Sequence, residues 1–553
     1  MVQRSDLDTT MVAGDGGERA LSTTRRMTKF GLVDGLDSSA TTGTFAWFGV
    51  PYAQPPVGPL RWQAPVDPQP WTGVRAATRF GHACAQVGRY FSPAPDDAPY
   101  GLAVREGFGK PVGSEDCLTL NIWRPADDQQ QLPVIVFIHG GSAISGYSGD
   151  PICDGQALAR KANAVVVTLN YRLGPLGWFD LPQLKTGDAD TDSGNFGLLD
   201  QLQALRFIQG NIASFGGDAG NVTVMGQSAG AANVWALMMS PRSAELMHKA
   251  LPLSGGIAHT SRGVAQKYST ALLEAMVVAD GKAPDADAAR AWIATQSNSR
   301  IANYLRGWSS SQLLTVVRAN PQLGNSPSSI EDGNVLPLDS VAALKDGRYR
   351  KIPVLAGNTR DEGTLLAALF GAVTGTGIPG FAPSDYDRFG LQFEFDPDAP
   401  TRLTEADLIS TAYLPVTAQP FGWNASTKLL SDKVFGPVVP QLDSLSSHEP
   451  AQVWYYRFDW DEQAAPFDVV YGATHALDLP FVFGNFEANA FSFAFGNANR
   501  PGREALSDAM MASVSAFART GNPNNSSLGV TWPNWPAVLV FDATPTQLQV
   551  TVQ

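Results

Sequence analysis

The fold class that this sequence predicts is α/β: a large, mostly parallel central sheet with helices on both faces. Two observations predict it. Between Leu132 and Leu253 apolar strand-length runs alternate with turns and helical periodicity, and the runs are continuously apolar rather than alternating, as strands buried on both faces require. From Leu199 to Phe215, Leu199, Leu202, Leu205, Ile208 and Ile212 recur every three or four residues, which is the buried stripe of one α-helix.

In chain order, Met1 to about Met27 mixes Arg4, Asp6, Asp8, Asp15, Glu18, Arg25 and Arg26 without the apolar core of a secretory leader and is expected to be a polar tail (residues 1–27). Residues 28–553 are expected to form one domain with insertions. Leu132 to His139 reads as a β-rich run stopped by Gly140 and Gly141, Ala164 to Asn170 as a second, and Val222 to Met225 as a third. Ile352 to Ala356 and the aromatic run Val453 to Phe458 continue the sheet. From about Gly371 to Pro450, Gly, Pro and Asp punctuate a weakly periodic stretch, which predicts loops and short helices rather than a second sheet.

Composition narrows the function. Of 553 residues, 44% are hydrophobic and 16% charged, a globular balance with ample material for a core. A formal net charge of -13 with no Lys/Arg cluster argues against a nucleic-acid partner. No apolar run approaches the roughly 20 residues of a membrane helix. The cysteines, Cys84, Cys117 and Cys153, have no metal-ligand spacing, so no metal site is expected.

The chemistry-bearing motif follows the third strand. Gly226-Gln227-Ser228-Ala229-Gly230 leads into the helical run Ala231 to Met239, and this strand, sharp turn and helix around G-x-S-x-G present a serine hydroxyl where a base can reach it. A hydroxyl needs such a base, and histidine is suited to the task. In the α/β-hydrolase order, acid and then histidine follow the serine along the chain. His82 and His139 precede Ser228, His248 and His259 precede any plausible acid loop, and His448 leads into a strand rather than out of one. His475 remains. Gly357 to Gly363 offers two adjacent carboxylates, Asp361 and Glu362, and spacing does not choose between them. The backbone of Gly140-Gly141-Ser142, after the first strand, can turn N–H groups toward a substrate carbonyl oxygen, and the N–H of Ala229 points the same way.

These residues resemble the type-B carboxylesterase family, which includes cholinesterases and bacterial para-nitrobenzyl esterases. The resemblance runs from about Thr28 onward, through Phe48-Gly49-Val50-Pro51-Tyr52-Ala53, Ser114-Glu115-Asp116-Cys117-Leu118, Asn170-Tyr171-Arg172-Leu173-Gly174, Phe215-Gly216-Gly217-Asp218, the serine turn, Asp361-Glu362-Gly363, Gly521-Asn522-Pro523 and Trp532-Pro533. It implies an α/β-hydrolase fold, Glu362 as acid, His475 as base, oxyanion donors at Gly141, Ser142 and Ala229, and a Cys84 to Cys117 disulfide. It also implies that Ser254 hydrogen-bonds the acid. The expected reaction is hydrolysis of a small-molecule ester through an acyl-enzyme, without metal or organic cofactor. Amide, carbamate or lactone cleavage is the alternative on the same residues, and a non-catalytic binding role is the remote one.

Three departures stand out: Ser142 and Ala143 replace a glycine and an aromatic residue, Gln227 replaces a glutamate near the base, and Tyr90, Phe91 and Tyr100 occupy a loop that carries a choline-binding tryptophan in cholinesterases. Choline esters are therefore not the expected substrate. The polar N-terminus favours an intracellular or trimmed product, and the disulfide an oxidising compartment.

Overall fold

The computed structural model describes residues 23–95, 98–371, 381–449 and 452–553. Its centre is an eleven-stranded sheet. The strands in chain order are β1 (Leu36–Ser38), β2 (Thr44–Pro51), β3 (Thr119–Pro125), β4 (Leu132–Ile138), β5 (Val165–Leu169), β6 (Gly217–Gln227), β7 (Lys249–Leu253), β8 (Val354–Thr359), β9 (Val453–Phe458), β10 (Val538–Ala543) and β11 (Leu548–Val552). Side by side they run β11-β10-β9-β8-β7-β6-β4-β5-β3-β2-β1. From β10 across to β5 every pair is parallel. Antiparallel strands close both edges. This is the α/β-hydrolase fold.

Every residue of β4 and β5 is buried, and β4 shows why the runs are unbroken. Val134, Val136 and Ile138 pack on one face of the sheet with Leu202, Leu205 and Ile208, while Ile135 and Phe137 pack on the other with Leu158, Leu506 and Phe517. The first face is covered by a helix at Phe196–Asn211 and the second by helices at Gln156–Ala162 and Arg500–Thr520. In chain order these are α1 (Gln156–Ala162), α2 (Phe196–Asn211) and, after α3 (Ala229–Met239), α4 (Arg500–Thr520). Each fully buried Leu or Ile of this kind contributes about 1.5 to 3 kcal/mol relative to exposure.

Some boundaries differ from those the sequence predicts. The expected strand at Ile352 to Ala356 lies at Val354–Thr359, because the polar Asn358 and Thr359 remain in the ladder opposite Arg457 and Phe458. The expected polar tail lies largely outside the described residues, but its end, Arg25–Thr28, pairs with Gly31–Asp34 as a hairpin. Arg26 turns inward there, its guanidinium 4.9 Å over the Trp47 ring. The part of the expected insertion that is described, residues 381–449, holds helices at Asp385–Glu394, Trp423–Val434 and Val438–His448 and adds no described strand to the central sheet. Trp423 ties it down by donating to the carbonyl of Val470 at 2.7 Å. Cys84 and Cys117 form a disulfide, and Cys153 is a buried free thiol.

The sheet order also fixes where a ligand fits. β4 has β5 on one side and β6 on the other, so the chain reverses its progress across the sheet at β4. The loops leaving the carboxyl ends of β4 and β6 diverge and leave a crevice between them. Gly140 to Ser142 follow β4, and Ser228 follows β6.

Candidate active site

Ser228 is the only residue between β6 and α3, and it sits at φ 57°, ψ -121°. A non-glycine residue in that region stores about 1 to 3 kcal/mol of strain, which the surroundings hold in place. Its N–H donates to the carbonyl of Leu253 at 2.8 Å. The flanking glycines are obligatory: a Cβ on Gly230 would strike the carbonyl oxygen of Ile138, and one on Gly226 that of Gly230. The Ser228 side chain opens onto a cavity of about 810 Å³ that is also lined by Gly140, Gly141, Ser142, Gln227 and His475.

After β4 the backbone turns through Ser142 and Ala143, both left-handed at φ 56° and 58°. Ile144 and Ser145 close the turn by donating to the Gly141 carbonyl at 3.1 and 3.0 Å. The N–H groups of Gly141, Ser142 and Ala229 donate to no described residue, which leaves three donors beside Ser228. Ala229 is the first residue of α3, so the positive end of that helix adds to the local field.

The two carboxylates that spacing leaves equivalent are separated by the fold. Glu362, 2% exposed, accepts from His475 Nδ1 through Oε2 at 2.5 Å. Its Oε1 accepts from the N–H of Thr359 at 2.9 Å and from Asn358 Nδ2 at 3.0 Å. Asp361 points the other way: its Oδ2 accepts from Arg360 Nε and from the N–H of Ala473, both at 3.0 Å. It therefore clamps the backbone of the loop that carries His475. Thr364 reinforces the clamp, its Oγ1 lying 2.7 Å from both the Asp361 and the Tyr471 carbonyl with one proton to give to either.

His475 Nε2 lies 3.1 Å from Gln227 Nε2, an amide donating to an unprotonated ring nitrogen. Ser228 Oγ has no hydrogen bond to a described residue. The Phe435 ring packs 5.0 Å from the imidazole. Ser254 is a correction to the expected bond with the acid: its wholly buried Oγ makes no hydrogen bond. Held at φ 53°, it uses its N–H on the Gly357 carbonyl at 2.7 Å instead. Tyr90 and Phe91 line the cavity; Tyr100 packs behind them against Phe389 and Phe393.

The model of the carboxylesterase family matches residues 22–551. This chain belongs to the carboxylesterase family. It is a carboxylesterase that hydrolyses esters. Among its relatives, para-nitrobenzyl esterase of Bacillus subtilis (strain 168) is 32% identical over 92% of this chain and 91% of that protein. Fumonisin B1 esterase of Sphingopyxis macrogoltabida is 32% identical over 92% of this chain and 84% of that one. The crystal structure of the Geobacillus stearothermophilus carboxylesterase at pH 6.8 superposes with a TM-score of 0.71 at 30% identity, covering 96% of this chain and 98% of that one.

Sequence reasoning passes over three residues that shape this carboxylesterase site. Asn358 and Thr359 hold Glu362 and stand four and three residues before it, a signal that was open to reading. Phe435 comes from the insertion more than 70 residues downstream of Glu362, and no local pattern marks it.

Proposed function

We propose that this carboxylesterase works through Ser228 as nucleophile, His475 as general base and Glu362 as the acid that orients and charges the imidazole. The observation that carries this reading is the buried Glu362 to His475 pair at 2.5 Å, opening onto the cavity that Ser228 shares. Ser228 attacks the ester carbonyl while His475 Nε2 takes its proton, and Glu362 stabilises the imidazolium so formed. The three unpaired N–H groups of Gly141, Ser142 and Ala229 hold the tetrahedral oxyanion, each worth roughly 10² to 10³ in turnover. His475 then protonates the departing alcohol, and water repeats the sequence on the acyl-enzyme.

Residues 28–553 act in this scheme as one catalytic domain. The substrates are small to medium organic esters, which a cavity of about 810 Å³ accommodates. A burst assay with para-nitrophenyl acetate and butyrate tests the reading. Native chain gives a stoichiometric burst or steady turnover, and Ser228→Ala gives neither. Equal rates in the two proteins overturn it.

A further inference from the structure

One group in the cavity wall has no part in this chemistry. Asp150 lines the cavity and is 8% exposed. Its Oδ1 accepts from the N–H of Ile152 at 3.0 Å, capping the single turn Pro151–Cys153. An asparagine or serine caps such a turn without a charge. Among the described residues, its Oδ2 takes no hydrogen bond and no Arg or Lys forms an ion pair with it.

Buried carboxylates are ordinarily paired, because removing an unpaired charge from water is costly. Burial accordingly pushes the Asp150 carboxyl up to about 7, opposed only by the Ile152 hydrogen bond. The cavity's arginines do not relieve it. Arg388 is committed to Asp385 at 2.8 Å and lies over the rings of Tyr90 and Phe381, Arg89 feels Asp385, and Arg318, the third in the wall, has no part in the Asp150 shift. The titratable groups that feel Asp150 are Tyr100, Tyr147 and Cys153, all held neutral by burial. The cavity around it is aromatic, with Tyr90, Phe91 and Tyr147 among its walls, and aromatic faces also attract cations.

We propose that Asp150 is the recognition group for a protonated amine on the substrate, so that this enzyme selects esters carrying a basic nitrogen. An ammonium N–H donates to the free Oδ2 and supplies the missing counter-charge. The proposal rests on the hydrolase reading above and adds the substrate class. A tertiary or lower amine fits better than a quaternary one, since the carboxylate takes an N–H and no tryptophan is available in the Cys84–Cys117 loop.

The test compares kcat/KM at about pH 8 for 4-nitrophenyl ω-(dimethylamino)alkanoates and their neutral ω-isopropyl counterparts over a series of chain lengths. At the best length the amine ester is favoured roughly 10- to 100-fold, and in Asp150→Asn, which keeps the capping oxygen, the ratio falls to near one. General damage to the variant acts on both esters and cancels in the ratio. The wild-type preference also fades as pH falls through about 7. Binding of the corresponding ethyl esters to Ser228→Ala, followed by calorimetry, reads the same ratio without turnover. A wild-type ratio at or below one, or a ratio retained in Asp150→Asn, overturns the proposal. If neither ester is cleaved but the calorimetric ratio holds, the hydrolase mechanism falls and the amine site stands.

Discussion

Replacing Glu362 by glutamine tests the proposed division of labour most sharply. The carboxylate accepts three hydrogen bonds, from Thr359, Asn358 and His475. Two converge on Oε1, so a glutamine keeps its carbonyl oxygen there and turns its NH₂ toward His475 Nδ1. The ring must then accept at Nδ1 and carry its proton on Nε2, the tautomer that cannot take a proton from Ser228. The attraction that steadies the imidazolium is lost as well. At about 4 Å and an effective dielectric near 20 that attraction is roughly 4 kcal/mol, and a hydrogen bond to a charged group is worth about 1.5 to 3 kcal/mol. The two overlap, and together they come to about 5 to 6 kcal/mol, a fall in kcat of about 10⁴. Steady-state kinetics on para-nitrophenyl butyrate measures it, with KM little changed because the group acts on the transition state. Asp361→Asn is the control: that carboxylate touches Arg360 and the Ala473 N–H, so the variant loses loop stability rather than four decades of turnover. A Glu362→Gln enzyme within tenfold of wild type refutes the reasoning.

Gln227→Glu places a carboxylate beside His475 Nε2 and favours the protonated ring, so the acid limb of kcat/KM moves to higher pH; an unmoved limb contradicts the contact. Removing the disulfide with Cys84→Ala and Cys117→Ala frees a loop of 33-residue separation and lowers stability by roughly 3 to 4 kcal/mol in the chain-entropy estimate, read from urea unfolding. Burial pushes His259 down to about 4, so the unfolded chain takes up its proton from about 6.5 while the native chain waits until about 4. The stability owed to neutral His259 is full above that window and lost as pH falls through it. The unfolding deficit of His259→Gln therefore shrinks by at most about 1.4 kcal/mol per pH unit between those values, and a deficit constant with pH counts against the shift.

Strands β4 and β5 and the apolar stretch of β6 were legible because runs covered on both faces are almost wholly apolar. The antiparallel flank was not. β3 buries Asn121 and Arg124, which look out of place in a strand until their partners are seen: Asn121 donates to Ser148 and Thr168, and Arg124 to carbonyls at Pro125, Phe215, Asp127 and Gln129. The same effect displaced β8, whose Asn358 and Thr359 read as loop although they are buried. That Ser228 and His475 would line one cavity was legible from motif and chain order. Glu362 was not separable from Asp361 by spacing, because neighbours in a turn point apart and only the tertiary fold says which one faces the imidazole. Asp150 gave no signal at all, since a lone aspartate among Gly, Ser and Pro reads as a turn.

The division of the chain around the crevice has an engineering consequence. The groups assigned to bond cleavage sit at the ends of β4, β6, β8 and β9, whose mutual spacing is set by ladder hydrogen bonds such as those pairing Val224 with Val136 and Gly357 with Tyr456. Leu314 and Val317, on the helix Ser310–Ala319 between β7 and β8, and Arg388, between β8 and β9, furnish remote parts of the wall. Grafting only the helices Ser310–Ala319 and Asp385–Glu394 from a relative would exchange selectivity while leaving Glu362 and the other reacting groups where the sheet holds them, so this scaffold is suited to recombination beyond the strand ends.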